Sequence, residues 1–284
     1  MAARFAPIHD HLVARLAPRP GERWLDVGTG TGAVAVRAAR AAAEATGVDL
    51  APGMIDRARR LAAEQRLAVR FEVGDAEALP YEDASFDVVS SALGVFLAPD
   101  HAAAAGELAR VCRPWGRLGI VAWRRDEELE RLHAPFSGPP EPGAGDRRAW
   151  GREDYLADLL GGDFELEFEE GEMRMTGRSG DEVWRLFRAC EGPAKLLVDS
   201  LDRERAEDYR QAFVRHYERH RKGDGVSRPR RYLLTLGRRR PTRASAALAT
   251  APMASSRSAT SVAGSAPSSP SSSASRSTSR RAAV

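Results

Sequence analysis

The chain has 284 residues, 43% of them hydrophobic and 29% charged, with 43 basic and 40 acidic side chains and a net charge of +3. This is enough for one sizeable core with accessory segments. No stretch approaches the roughly 18 continuous apolar residues of a membrane-spanning helix. No apolar leader follows Met1, and the two cysteines, Cys112 and Cys190, lie too far apart for a disulfide framework or a four-thiolate metal centre. A cytoplasmic protein without a membrane partner is expected. The positive charge belongs to the end of the chain: residues 241–284 hold five arginines and no acid, which leaves residues 1–240 with 38 basic against 40 acidic groups. That balance provides no electrostatic footprint for nucleic acid.

In chain order, Arg23–Val27 is a short apolar run closed by glycines and predicts a strand, and Gly32–Glu44, rich in alanine, predicts a helix. Ala45–Leu50 reads as a second strand. Pro52–Gln65 follows as a helix, with a favourable proline at its start and Met54, Ile55, Ala58, Leu61 and Ala62 at helical spacing. Leu67–Val73 alternates as a third strand and Phe86–Ser91 is a fourth. Asp100 is placed to cap a helix that reaches Cys112 and is stopped by Pro114, and Arg117–Trp123 supplies a fifth strand. Strands separated by helices imply parallel βαβ units with right-handed crossovers, so the fold class is α/β, doubly wound.

The second half is less regular. A Pro/Gly loop occupies residues 135–146, and strands are expected at Phe164–Phe168 and over 231–237. Between them residues 180–222 read as two or three helices, taken as an insertion packed over the ligand-binding edge of the sheet before the last strand. Residues 241–284 contain 14 serines and no aromatic residue, too little apolar surface to offset the entropy of ordering, and are expected to be a disordered tail. The domain is therefore placed at 1–240, with its core at 20–125.

The segment that carries chemistry is Asp26-Val27-Gly28-Thr29-Gly30-Thr31-Gly32, between a strand and a helix. Glycines there allow a tight turn and bring backbone N–H groups close to a ligand. A dinucleotide fingerprint is G-x-G-x-x-G, with its pyrophosphate on the helix N-terminus; this turn is G-x-G-x-G with an acid before it. A carboxylate suits an ammonium group better than a diphosphate, which favours S-adenosylmethionine over a nicotinamide cofactor. Asp49 closes the second strand 17 residues after Gly32, where an acid can accept both hydroxyls of a ribose. Asp75-Ala76 follows the third strand, in reach of an adenine amino group, and Met54 is placed to lie against the adenine face. Strand-end turns and core packing account for each of these positions singly; their joint order is the signal.

Trp24–Gly32, Gly47-Val48-Asp49-Leu50, Gly74–Pro80 and Ser85–Val89 together resemble the class I S-adenosylmethionine-dependent methyltransferases, in the small-molecule branch that includes the quinone-biosynthesis C-methyltransferases. The resemblance covers about residues 20–123. It implies a seven-stranded, mostly parallel Rossmann-like sheet whose last strand is antiparallel. It also implies that Asp26, Gly28, Gly30, Thr31 and Gly32 surround the methionine part of the cofactor, Asp49 and Leu50 the ribose side, and Asp75 and Ala76 the adenine. The chain departs from that pattern at Ala92, where the quinone enzymes carry a polar residue, and at Pro114-Trp115-Gly116, where Pro-Gly-Gly is usual. A tryptophan there is strained if the turn needs a positive φ.

The acceptor is expected to be a small, apolar or aromatic molecule, since no N-P-P-Y tetrapeptide follows the fourth strand, which reads Ser90-Ser91-Ala92-Leu93. No catalytic residue is assigned; His9 and His101 are the candidates for a base, and Phe96, Trp123, Trp150, Trp184 and Phe187 for an apolar wall. His216 and His220 stand four apart but lack a third ligand in sequence, so they read as a solvated helix face and no metal is expected. The other readings are a cofactor-binding but catalytically inert or regulatory protein, and a nicotinamide-dependent oxidoreductase.

Overall fold

The computed structural model describes residues 4–138, 143–190 and 197–241. The expected tail beyond residue 241 and the centre of the Pro/Gly loop, residues 139–142, lie outside these. The elements are α1 (Ala6–Leu16), β1 (Arg23–Val27), α2 (Ala33–Arg40), β2 (Glu44–Asp49), α3 (Pro52–Glu64), β3 (Arg70–Val73), β4 (Phe86–Ala92), α4 (His101–Val111) and β5 (Cys112–Trp123). There follow α5 (Glu127–His133), α6 (Glu153–Leu160), β6 (Phe164–Gly177), α7 (Gly180–Cys190), α8 (Arg203–Glu218), β7 (Arg221–Lys222) and β8 (Gly225–Arg239). Short 3₁₀ turns stand at Val95–Leu97 and Arg147–Gly151.

The strand order is β3-β2-β1-β4-β5-β8-β6, and the two-residue β7 adds to β8. The first five strands are parallel, and β8 runs antiparallel to β5 and β6. This is the expected Rossmann-like sheet with an antiparallel last strand. Its order reverses between β1 and β4, the switch point where ligands bind at the carboxyl ends of strands in open α/β sheets. The central strands are buried on both faces, as parallel strands between helix layers require: Trp24, Leu25, Val27, Val88 and Val89 are at most 1% exposed.

Several elements differ from expectation. The stretch before Arg23 forms α1, whose Ile8, Leu12 and Leu16 are buried; the helix lies so close to β5 that a Cβ on Gly119 would fall 2.7 Å from Leu12 Cδ1. α2 ends at Arg40, four residues early, where the chain turns through Ala42 at positive φ into β2. β6 and β8 are much longer than predicted, pairing from Phe164↔Arg239 to Gly177↔Val226. Since Trp123, the last residue of β5, pairs with Tyr232, the β6–β8 ribbon continues past the carboxyl end of the parallel strands. α7 and α8 pack on that extension, with Trp184, Phe187, Phe213 and Tyr217 in one cluster with Met173, Met175 and Val226. No described helix is long and apolar enough to cross a membrane.

β5 begins at Cys112, five residues before the predicted start. Its register with β4 jumps from Phe86↔Cys112 to Val88↔Arg117, so Arg113–Gly116 loops out of the ladder. At its tip Trp115 has φ +64° and is half exposed. A left-handed conformation costs an L-residue roughly 1–2 kcal/mol, and glycine is free of that penalty. Trp115→Gly is therefore expected to raise the unfolding free energy by about 1 kcal/mol in urea titration; a fall would show that the indole packing outweighs the backbone strain.

Candidate functional site

The turn after β1 is held from below by a buried carboxylate. Asp26 is 1% exposed. Its Oδ2 accepts from Thr29 Oγ1 at 2.6 Å and its Oδ1 from Ser90 Oγ at 2.8 Å. Ser90 in turn accepts from the Trp24 indole N–H at 2.8 Å. These bonds tie β1, β4 and the turn into one unit. Burial pushes the Asp26 carboxyl up to about 6, against the lowering effect of the Thr29 and Ser90 hydroxyls.

The glycines do distinct work. Gly28 has φ +64° and lies backbone to backbone against Gly94, so that a Cβ would stand 2.8 Å from Gly94 Cα. Gly32, at φ +79°, starts α2 and leaves room for the Phe71 ring. Gly30 has φ +55°, and a Cβ built there would meet nothing within 4 Å, so open space lies above it. That opening is where the close approach of a ligand to the backbone is possible.

Asp49 joins the turn to the next crossover. Its Oδ2 accepts the Gly30 N–H at 2.8 Å and its Oδ1 the Ala51 N–H at 3.0 Å, while the Asp49 carbonyl accepts the Gly74 N–H at 3.1 Å. Each carboxylate oxygen keeps further acceptor capacity, and the side chain is only half-buried. Leu50 is 68% exposed and Met54 37%. Asp75 is exposed, with Oδ1 accepting the Glu77 N–H at 3.0 Å, and Ala76 is half-buried. Thr31 is half-buried in the turn itself. The predicted cofactor residues thus gather along the carboxyl ends of β1, β2 and β3. Asp26 alone lies beneath this surface, nearly out of reach of solvent.

The two candidate bases are packed instead. His9 is buried in α1 beside Phe5, and burial with the Arg37 guanidinium pushes it down to about 4. His101 is buried at the start of α4: its Nδ1 is 2.7 Å from the Tyr155 hydroxyl and its ring meets Trp150 edge-on. Asp100 caps α4, accepting from the Ala103 N–H. Of the five aromatic residues considered for an acceptor wall, Trp150, Trp184 and Phe187 are core, whereas Phe96 and Trp123 are half-buried near the ends of β4 and β5. The reading of His216 and His220 as a solvated face is corrected by the fold, because His216 is only 1% exposed and Glu128 of α5 lies beside both rings.

Sequence reasoning missed Thr29, Ser90 and Gly94. The signal for Ser90 was available: a serine pair after Val88-Val89 in a central strand must find buried partners.

Residues 25–116 match the family model described as a methyltransferase domain. This stretch is similar to that family over about a third of the chain. An uncharacterised protein of Mycobacterium tuberculosis is 40% identical over 159 residues, covering 55% of this chain and 58% of that one. A demethylmenaquinone methyltransferase of Deinococcus radiodurans is 46% identical over 101 residues, covering 35% of this chain and 42% of that one. The match thus spans 58% and 42% of the length of these two relatives. Among solved structures, phosphoethanolamine N-methyltransferase 2 of Haemonchus contortus, in complex with phosphomonomethylethanolamine and S-adenosylhomocysteine, shares the fold at a TM-score of 0.53 and 18% identity, covering 83% of this chain and 53% of that one.

The buried charge beneath the glycine turn has a measurable consequence. Because the folded-state value of Asp26, about 6, lies above the ordinary 3.8, the folded state holds the proton more tightly than the unfolded one. This group's contribution to stability is then lost as pH rises from about 4 to about 6, by on the order of 3 kcal/mol. Asn at this position keeps the shape without the charge. Asp26→Asn is expected to match the parent near pH 4 and exceed its stability above pH 6.5 in urea titrations at each pH; a pH-independent difference would overturn the assignment.

Proposed function

We propose that the protein transfers a methyl group from S-adenosylmethionine to a small, apolar or aromatic metabolite. The observation that carries this reading is the open space over Gly30, bordered by a half-buried Asp49 carboxylate with spare acceptor capacity and by the exposed side chains of Leu50 and Met54. In that arrangement Asp49 accepts the ribose hydroxyls, Leu50 and Met54 cover the adenine, and Asp75 with Ala76 reaches its amino group. The N-terminal turn of α2 offers N–H groups to the methionine carboxylate. Asp26 acts through the turn it organises and supplies negative potential beneath the ammonium group. When bound, the cofactor supplies an electrophilic methyl group on a sulfonium centre.

With His9 and His101 committed to packing, this chain contributes alignment rather than a dedicated base, and much of a methyl transfer's acceleration is available from alignment alone. Phe96 and Trp123 give the acceptor side an apolar, aromatic border. The Deinococcus relative, named for a quinone precursor, and the Haemonchus neighbour, solved with S-adenosylhomocysteine, support the acceptor class and the cofactor respectively. A cytoplasmic setting without nucleic acid or membrane partners accords with this chemistry.

The test is a thermal-shift titration of the full chain with S-adenosylmethionine, S-adenosylhomocysteine and NADH in parallel. Ligand at about 100 times its Kd adds roughly 2.7 kcal/mol, so the first two should raise the midpoint by several degrees. Stabilisation by NADH alone would replace this reading with that of an oxidoreductase. Asp49→Ala is expected to weaken S-adenosylmethionine by roughly 1.5–3 kcal/mol, the range for hydrogen bonds to a charged group; an unchanged calorimetric Kd would remove the ribose assignment.

A further inference from the structure

Away from the glycine turn, α5 and the end of α8 bring together three groups with the chemistry of metal ligands. Glu128 Oε2 lies 3.7 Å from His220 Nε2 and 4.0 Å from His216 Nε2. One ligand atom from each of the three residues falls within 4.8 Å of the others. His216 is 1% exposed, and its Nε2 is buried with no hydrogen-bond partner, facing the Glu128 carboxylate. A buried imidazole nitrogen left unpaired is costly unless something else satisfies it. Glu128 and His220 are partly exposed, so the cluster has an open side.

We propose that Glu128, His216 and His220 bind a borderline divalent transition metal of the Zn²⁺ type, with solvent in the fourth position. Tetrahedral Zn²⁺ takes imidazole nitrogen and carboxylate oxygen at about 2.0–2.1 Å, which places ligand atoms about 3.3 Å apart. The present separations of 3.7 and 4.0 Å from Glu128 are a few tenths of an ångström above that value. Imidazole must be neutral to ligate.

The surrounding cations are compatible with the site. Arg228 lies 3.5 Å from Glu128, but its main partner is Asp126, at 2.6 and 2.7 Å. It therefore stays paired when Glu128 turns to a metal. Arg219 Nη2 is 3.0 Å from His216 Nδ1. Ligation through Nε2 puts the ring proton on Nδ1, so Arg219 must swing aside; it is exposed and has solvent to enter. The ion would join α5, which follows β5, to α8, which packs on the β6–β8 ribbon, and so act as a staple between two parts of the fold. This reading is independent of the methyl-transfer proposal.

The test is competition for Zn²⁺ between the metal-stripped full chain and a chromophoric chelator. The parent should take up one equivalent. Glu128→Gln and His220→Ala, both at partly exposed positions and checked for native circular dichroism, should each bind at least tenfold more weakly, and Cys190→Ser should bind as the parent does. Co²⁺ should give the visible bands of a four-coordinate nitrogen and oxygen site. No uptake by the parent, parent-like affinity in both ligand variants, or a thiolate charge-transfer band with Co²⁺ would overturn the site.

Discussion

A carboxylate withdrawn from water at the end of β1 is the constraint around which the rest of the domain is arranged. Isolated, a charge in such a position would cost several kcal/mol. Asp26 offsets this with donors drawn from three places: the turn at Thr29, the neighbouring strand at Ser90, and the α2 backbone at Ala35. Each donor is committed by its own context, Ser90 by the Trp24 indole and Thr29 by its N–H bond to the Val48 carbonyl. The turn therefore has one way to satisfy its buried charge, and that way sets the path of Gly28–Gly32. Gly94 completes the arrangement, because only a backbone without Cβ on either side allows Gly28 and Gly94 to touch.

From this fixed turn the candidate ligand edge follows by short links. Asp49 holds Gly30 with one oxygen and Ala51 with the other, so the acid that closes β2 also sets the entry to α3. The Gly74 N–H bonds to the Asp49 carbonyl and carries the same alignment to the end of β3. Leu50 and Met54 stay exposed because none of the described residues covers them. A rigid polar floor with apolar sides is the arrangement that preorganised binding requires, since little conformational entropy remains to be lost when a ligand docks.

From Arg23 to Trp123 the sequence was legible because local signals agreed with tertiary placement: apolar runs ended in glycine, helices had helical spacing, and Asp100 stood where a cap was needed. Legibility failed where distant partners override local pattern. The alternation of β6 fails at Glu170-Gly171, which hid the rest of that strand; in the fold Glu167 and Glu169 pair with Arg15 and His11 of α1, a helix that itself went unread. Gly171 interrupts the same strand because a side chain there would occupy the Tyr232 ring. The candidate ligand-edge residues were readable because each sits at a strand end in consecutive order. Asp26's withdrawal beneath the surface was not, since nothing local shows that Ser90, far along the chain, points at it. Glu128 beside His216 was equally hidden, being 88 residues away in sequence.

The long β6–β8 ribbon explains why the two halves of the chain read so differently. The parallel strands end near Trp123, and a sheet that stopped there would leave their carboxyl ends bare on the far side from β3. By running on to Gly177↔Val226, the ribbon builds a wall beyond that edge, and the wall carries α7 and α8. Arg230, two residues past the ribbon's register with β5, lies 3.7 Å over the Trp123 ring and closes the junction between wall and sheet. The glycine turn answers to a single buried charge and tolerates little change, whereas the wall is a packed aromatic surface in which volume can be redistributed at modest cost.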